Sequence, residues 1–136
     1  MKFRSIAISF AVLTMVGCKN IFEDNDVSLD GSTPYNSIDS PKNNNVYKTT
    51  NAIAIKSGFS DKDKVELVDV KLVALGSELR GSTNVISFQK FPNMEVFSLD
   101  TTFAAGTLAA GKYQLQIRSV DTRKNEGVKE VLFTIN

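Results

Sequence analysis

Apolar residues recur at every second position through much of this chain, and that period of two dictates extended backbone rather than helix. The clearest pair comes last. Tyr113, Leu115 and Ile117 share one face of Lys112–Val120, and Val131, Phe133 and Ile135 share one face of Val128–Ile135. Asp121-Thr122-Arg123-Lys124-Asn125-Glu126-Gly127 joins them as a long hairpin loop. Further upstream, Asn36–Asp39 reads as a short first strand, stopped by Ser40-Pro41 and the Asn-rich run behind it. Asn51–Phe59 is a second, with Ile53, Ile55 and Phe59 in phase, and Ser60–Lys64 is a charged loop. Val65–Leu75 is a third, Asn84–Phe88 a short edge strand, and Glu95–Phe103 a fifth with Phe97, Leu99 and Phe103 in phase. No helix is expected, because Gly106 interrupts the one stretch of helical composition, Thr102–Ala110.

Seven short strands separated by turn signals within about 100 residues predict an all-β, immunoglobulin-like Greek-key β-sandwich over residues 34–136. The chain has a single cysteine, so no intrachain disulfide can brace that domain and packing must hold it. Leu108-x-x-Gly111-x-Tyr113-x-Leu115-x-Ile117 is similar to the start of strand F in such domains. There a Tyr closes the E–F corner by hydrogen-bonding back to the backbone, two residues before a Cys; here Leu115 holds that place. Phe59-Ser60-Asp61, with Gly111-x-Tyr113-x-Leu115-x-Ile117, Asp121 and Asn125, resembles the small Ig-like domains of Bacteroidetes-type lipoproteins. That resemblance implies fold and not activity.

The N-terminal stretch has a different character. Lys2 and Arg4 precede an apolar run of 11 residues, Ile6–Val16. Spanning a bilayer takes roughly 20 apolar residues, so residues 1–17 read as a cleaved signal peptide. Met15-Val16-Gly17-Cys18 resembles a lipobox, which implies that Cys18 is lipidated and becomes the first residue of the mature protein. The alternative is an ordinary secretory signal followed by a chance cysteine, which leaves a lone thiol unexplained in an oxidising compartment.

Residues 18–33 are then the lipidated Cys and a flexible acidic tether carrying Glu23, Asp24, Asp26 and Asp30 against one Lys. Lys19 is not the Asp that often follows the Cys in lipoproteins retained at the inner membrane, so the expected address is the outer membrane. Two readings of the acidic stretch stay open. It resembles the surface-export signal of Bacteroidetes-type lipoproteins, and it also suits a plain solvating linker facing the periplasm.

Several chemistries are excluded by residues the chain lacks. Without histidine or a second cysteine, a Ser-His-Asp triad, a Cys-His pair and the usual zinc sites cannot be built. No Gly-rich phosphate loop occurs. Removing Lys2 and Arg4 with the signal leaves 14 basic against 15 acidic residues, which argues against nucleic acid as a partner. No cofactor and no enzymatic activity are expected.

In an Ig topology the B–C and F–G loops share one end of the sandwich, where Asp61, Asp63, Asp121 and Asn125 could converge on a ligand or on Ca2+. Lys62, Lys64, Arg123 and Lys124 interleave with them and oppose a cation, and the alternative role for Asp61 and Asp121 is to cap loop backbone. Tyr35, Tyr47, Phe88 and Phe91 are the aromatics open to a surface role. The expected function is a lipid-anchored, non-enzymatic binding or assembly module, with an envelope protein or a glycan as partner. An accessory glycan-binding lipoprotein of a polysaccharide-uptake system is the alternative form.

Overall fold

The computed structural model describes residues 30–76 and 81–136, so the expected signal peptide, Cys18 and the expected tether up to residue 29 lie outside the described residues. Seven strands follow one another: β1 (Tyr35–Ser40), β2 (Val46–Tyr47), β3 (Ile53–Leu75), β4 (Ser82–Lys90), β5 (Met94–Phe103), β6 (Gly111–Asp121) and β7 (Glu126–Ile135). No helix occurs among the described residues, and so none there is long and apolar enough to cross a membrane.

β3 organises everything else. Its first half, Ile53–Ser60, pairs antiparallel with β1 on one side and β5 on the other. Its second half, Val65–Leu75, pairs with β6, and from Val68 onward also with β4. β7 continues beyond β6, and the two-residue β2 adds to it in parallel. Two layers result, β1-β3-β5 and β4-β3-β6-β7-β2, joined through the middle of β3. This strand connectivity is that of an immunoglobulin-like β-sandwich.

The expected second and third strands are thus one continuous strand, and Ser60–Lys64 is a corner within it rather than a loop between strands. The chain turns the corner through an irregular register and a left-handed Lys64 (φ 64°). The buried phase changes there. Ile53, Ile55, Ser57 and Phe59 face inward at odd positions before it, and Val68, Val70 and Leu72 at even positions after it. An irregularity that takes up one residue makes that switch, keeping an apolar face on the core as the strand passes between layers. The β4–β5 pair follows β3 around the same corner, with Lys90 opposite Val68 and Met94 opposite Val65. β2 lies in the Asn-rich stretch, where two residues are too few for a period to show.

The core is built from both layers. Phe59 stacks on Phe97 with ring centroids 5.8 Å apart, and Tyr113 stacks on Phe133 at 5.6 Å. Leu115 and Ile117 are fully buried in the same core. Tyr113 donates from its hydroxyl to the Ala109 carbonyl at 2.8 Å, the corner contact expected from the Gly111-x-Tyr113 spacing. Tyr113→Phe keeps the stacking and removes that bond, so we expect a loss of about 1 kcal/mol. Urea unfolding of the pair of proteins measures it, and equal midpoints would deny the hydroxyl its role.

Candidate functional site

Four of the sequence-selected residues lie at the end of the sandwich where β3 turns and β6 passes into β7, and three of them converge. Asp121 ends β6 and is fully buried; its Oδ1 accepts from the backbone N–H of Asn125 and its Oδ2 from the Asn125 side-chain amide, both at 2.8 Å. The same Asn125 amide reaches Asp30 Oδ1 at 2.9 Å. Asp63 completes the group, and carboxylate oxygens of Asp30, Asp63 and Asp121 lie within 4.8 Å of one another. Asp61 stands apart from them. Its Oδ1 accepts from the Asp63 backbone N–H at 2.8 Å, an Asx turn that shapes the corner of β3.

Positive charge is built into this cluster. Lys62 Nζ sits 2.9 Å from Asp30 Oδ2 and 3.6 Å from Asp63 Oδ2, and Arg123 Nε sits 3.2 Å from Asp63 Oδ1. The ammonium of Lys62 therefore lies between two of the three carboxylates, where an added divalent cation would have to displace it. The arrangement as it stands works as a latch: the β3 corner, the β6–β7 loop and the segment before β1 are held together by charge-assisted bonds.

Asp30 was expected in the tether and is instead fastened to the domain. The Lys62 ammonium donates to its carboxylate, the Ser32 backbone N–H donates at 3.0 Å, and together with the nearby Lys62 charge they hold its pKa at about 2, below the usual 3.8. The Asp30-Gly31-Ser32 turn, with Gly31 at φ 77°, is the local signal that marks it. Since the folded-state pKa is depressed, the latch adds stability above the unfolded value and loses it as pH falls from about 4 to about 2. Urea midpoints of the parent should exceed those of Asp30→Asn at pH 6, and the two curves should merge by about pH 2. A gap that stays constant over that range would contradict the latch.

A second feature lies along the open side of the sandwich, where β1 runs beside β7 without a backbone ladder. The side chain of Asn36 bridges them: it donates to the Gly127 carbonyl at 3.0 Å and accepts from Ser119 Oγ at 2.6 Å. Gly127 is required at this seam, because a Cβ there would collide with the Pro34 carbonyl oxygen. Over the seam is a cleft of about 420 Å3 whose lining includes Tyr35, Asn36, Glu126, Gly127, Val128 and Lys129. Tyr35 is 66% exposed. Arg118 grips both oxygens of Glu126, with Nε to Oε2 at 2.9 Å, which fixes that carboxylate and keeps its pKa below the ordinary value.

The other aromatics separate into different roles. Tyr47 packs edge-on against Phe133 and its hydroxyl accepts from the Lys42 N–H at 3.3 Å. Phe88 packs half-buried against the core, whereas Phe91 is 70% exposed beside Leu67 and Val120.

The connectivity and core define an Ig-like β-sandwich module. No protein-family model matches the chain, and no curated protein sequence is detectably similar to it. Among solved structures, it is similar to OgpA from Akkermansia muciniphila at 9% identity and a TM-score of 0.54, over 79% of this chain and 30% of that one. It is also similar to the fibronectin(III)-like modules of Clostridium thermocellum CbhA, at 16% identity and a TM-score of 0.48, over 74% and 94% of the two chains. Murine CRIg is matched at 10% identity and a TM-score of 0.47, over 77% and 98%. At 9% identity the likeness to OgpA speaks of fold alone.

Proposed function

We propose that the protein is a lipid-anchored, non-enzymatic binding or assembly module of the outer membrane. The observation that carries this is the lone Cys18, standing directly after the apolar run and Gly17, at the head of a segment leading into an Ig-like module. Two or three acyl chains at about 0.8 kcal/mol per buried CH2 anchor such a protein stably. The latch at Asp30 sets the reach: 12 residues beyond Cys18, extended at about 3.3–3.6 Å each, span at most about 40 Å. The module would then present its loops and its seam at a bounded distance from the leaflet.

Membrane fractionation tests the anchor. The parent should sediment with outer membranes and Cys18→Ser should appear in the soluble envelope fraction; a Cys18→Ser protein that still sediments would contradict it. The glycan-binding form of this reading is favoured by one feature, the exposed Tyr35 at the lip of a polar cleft.

A further inference from the structure

We propose that the cleft between β1 and β7 is a carbohydrate-binding site in which Tyr35 is the stacking platform and Glu126 accepts from sugar hydroxyls. This rests on the glycan-binding form of the reading above and gives it a location.

Size comes first. At about 420 Å3 the cleft lies within the range of about 300–1,000 Å3 usual for small-molecule sites. Its chemistry is mixed in the way a pyranose is mixed. One face of a sugar ring carries C–H bonds made slightly positive by the neighbouring hydroxyls, and these seat on the negative face of an aromatic ring. The rim of the sugar carries hydroxyls that donate and accept. Tyr35 offers the ring, exposed and at the start of a strand rather than on a mobile loop. Glu126 offers an acceptor: each of its oxygens already takes one bond from Arg118 and keeps a further lone pair.

Pre-organisation is the second argument. The floor of the cleft is the Pro34–Gly127 approach, and the buried Asn36–Ser119 pair locks β1 to β6 and β7 beneath it. The bidentate Arg118 pair holds Glu126 in one orientation before any ligand arrives. Little ordering is left to oppose binding. Val128, 54% exposed, adds apolar surface beside the ring.

Affinity gel electrophoresis of the full-length chain in detergent tests the site, with soluble starch, xylan, laminarin and gastric-mucin glycans embedded in separate gels. At least one glycan should retard the parent. Tyr35→Ala should weaken that retention at least tenfold, Tyr35→Phe should keep it, and Glu126→Gln should weaken it severalfold. Tyr35 is exposed, so its removal leaves the core intact, and an unchanged urea midpoint verifies this. Retention that survives Tyr35→Ala overturns the site while leaving glycan binding elsewhere on the module. Free migration of the parent in all four gels overturns site and glycan binding together, and leaves the membrane anchor to be judged by fractionation.

Discussion

Leu115→Ala should lower the stability of the module by about 2–5 kcal/mol, the cost of emptying a fully enclosed site that cannot collapse. Leu115 lies at the centre of β6, opposite Leu72 of β3 and Val131 of β7, so atoms lost there are missed by both neighbouring strands. It also stands where antibody domains place a disulfide cysteine, and this chain has no second cysteine to compensate. For a domain of about 100 residues the loss corresponds to a fall in Tm of about 10 °C or more. Leu115→Met, which nearly conserves volume, should cost under about 1.5 kcal/mol. Thermal melts of both variants separate the two cases. A Leu115→Ala change worth only a few tenths of a kcal/mol would show that the side chain is not the plug of the core.

Gly127→Ala is the second large effect, and its cause is collision rather than a cavity. The added Cβ would run into the Pro34 carbonyl oxygen and press on Asn36 Nδ2 and Ser119 Oγ, each 3.3 Å away. Backbone cannot yield as a flexible side-chain end can, so β1 must shift away from β7. We expect a loss of about 1–3 kcal/mol by overpacking. The Asn36 bridge should fail with it, so hydrogen exchange at β1 amides should rise more than at β6 amides. Uniform protection in β1 and a parent-like Tm would contradict the tight seam.

Much of this architecture is legible in the residues, and the exceptions have physical causes. Tyr113, Leu115 and Ile117 announce β6 because one buried face and one exposed face impose strict alternation. The Tyr113 corner follows from a fixed spacing behind Gly111 and is local enough to read. The corner of β3 is not, since Asp61, Lys62, Asp63 and Lys64 carry the charge of a loop while the strand continues on both sides of them. What carries the strand through them is the pairing of the residues on either side, Ser60 with β1 and β5 and Val65 with β5 and β6, which no local pattern contains.

The acidic end of the sandwich is half legible. Asp63, Asp121 and Asn125 meet because the loop positions of the fold bring them together, and Asp61 keeps to its own turn. Asp30 joins from across 95 residues, and its contribution depends on Lys62 and Asn125 being in place to receive it. The Tyr35 cleft was visible only as an aromatic without a core phase; its depth comes from the Asn36 bridge and the tight Gly127 contact.

The proposed anchor is a lipid carried by Cys18. Growth with an alkyne-tagged fatty acid, followed by dye coupling and electrophoresis of the purified protein, reads whether acyl chains are attached. The parent should carry the label and Cys18→Ser should carry none. An unlabelled parent, or equal label on the two proteins, would contradict the anchor.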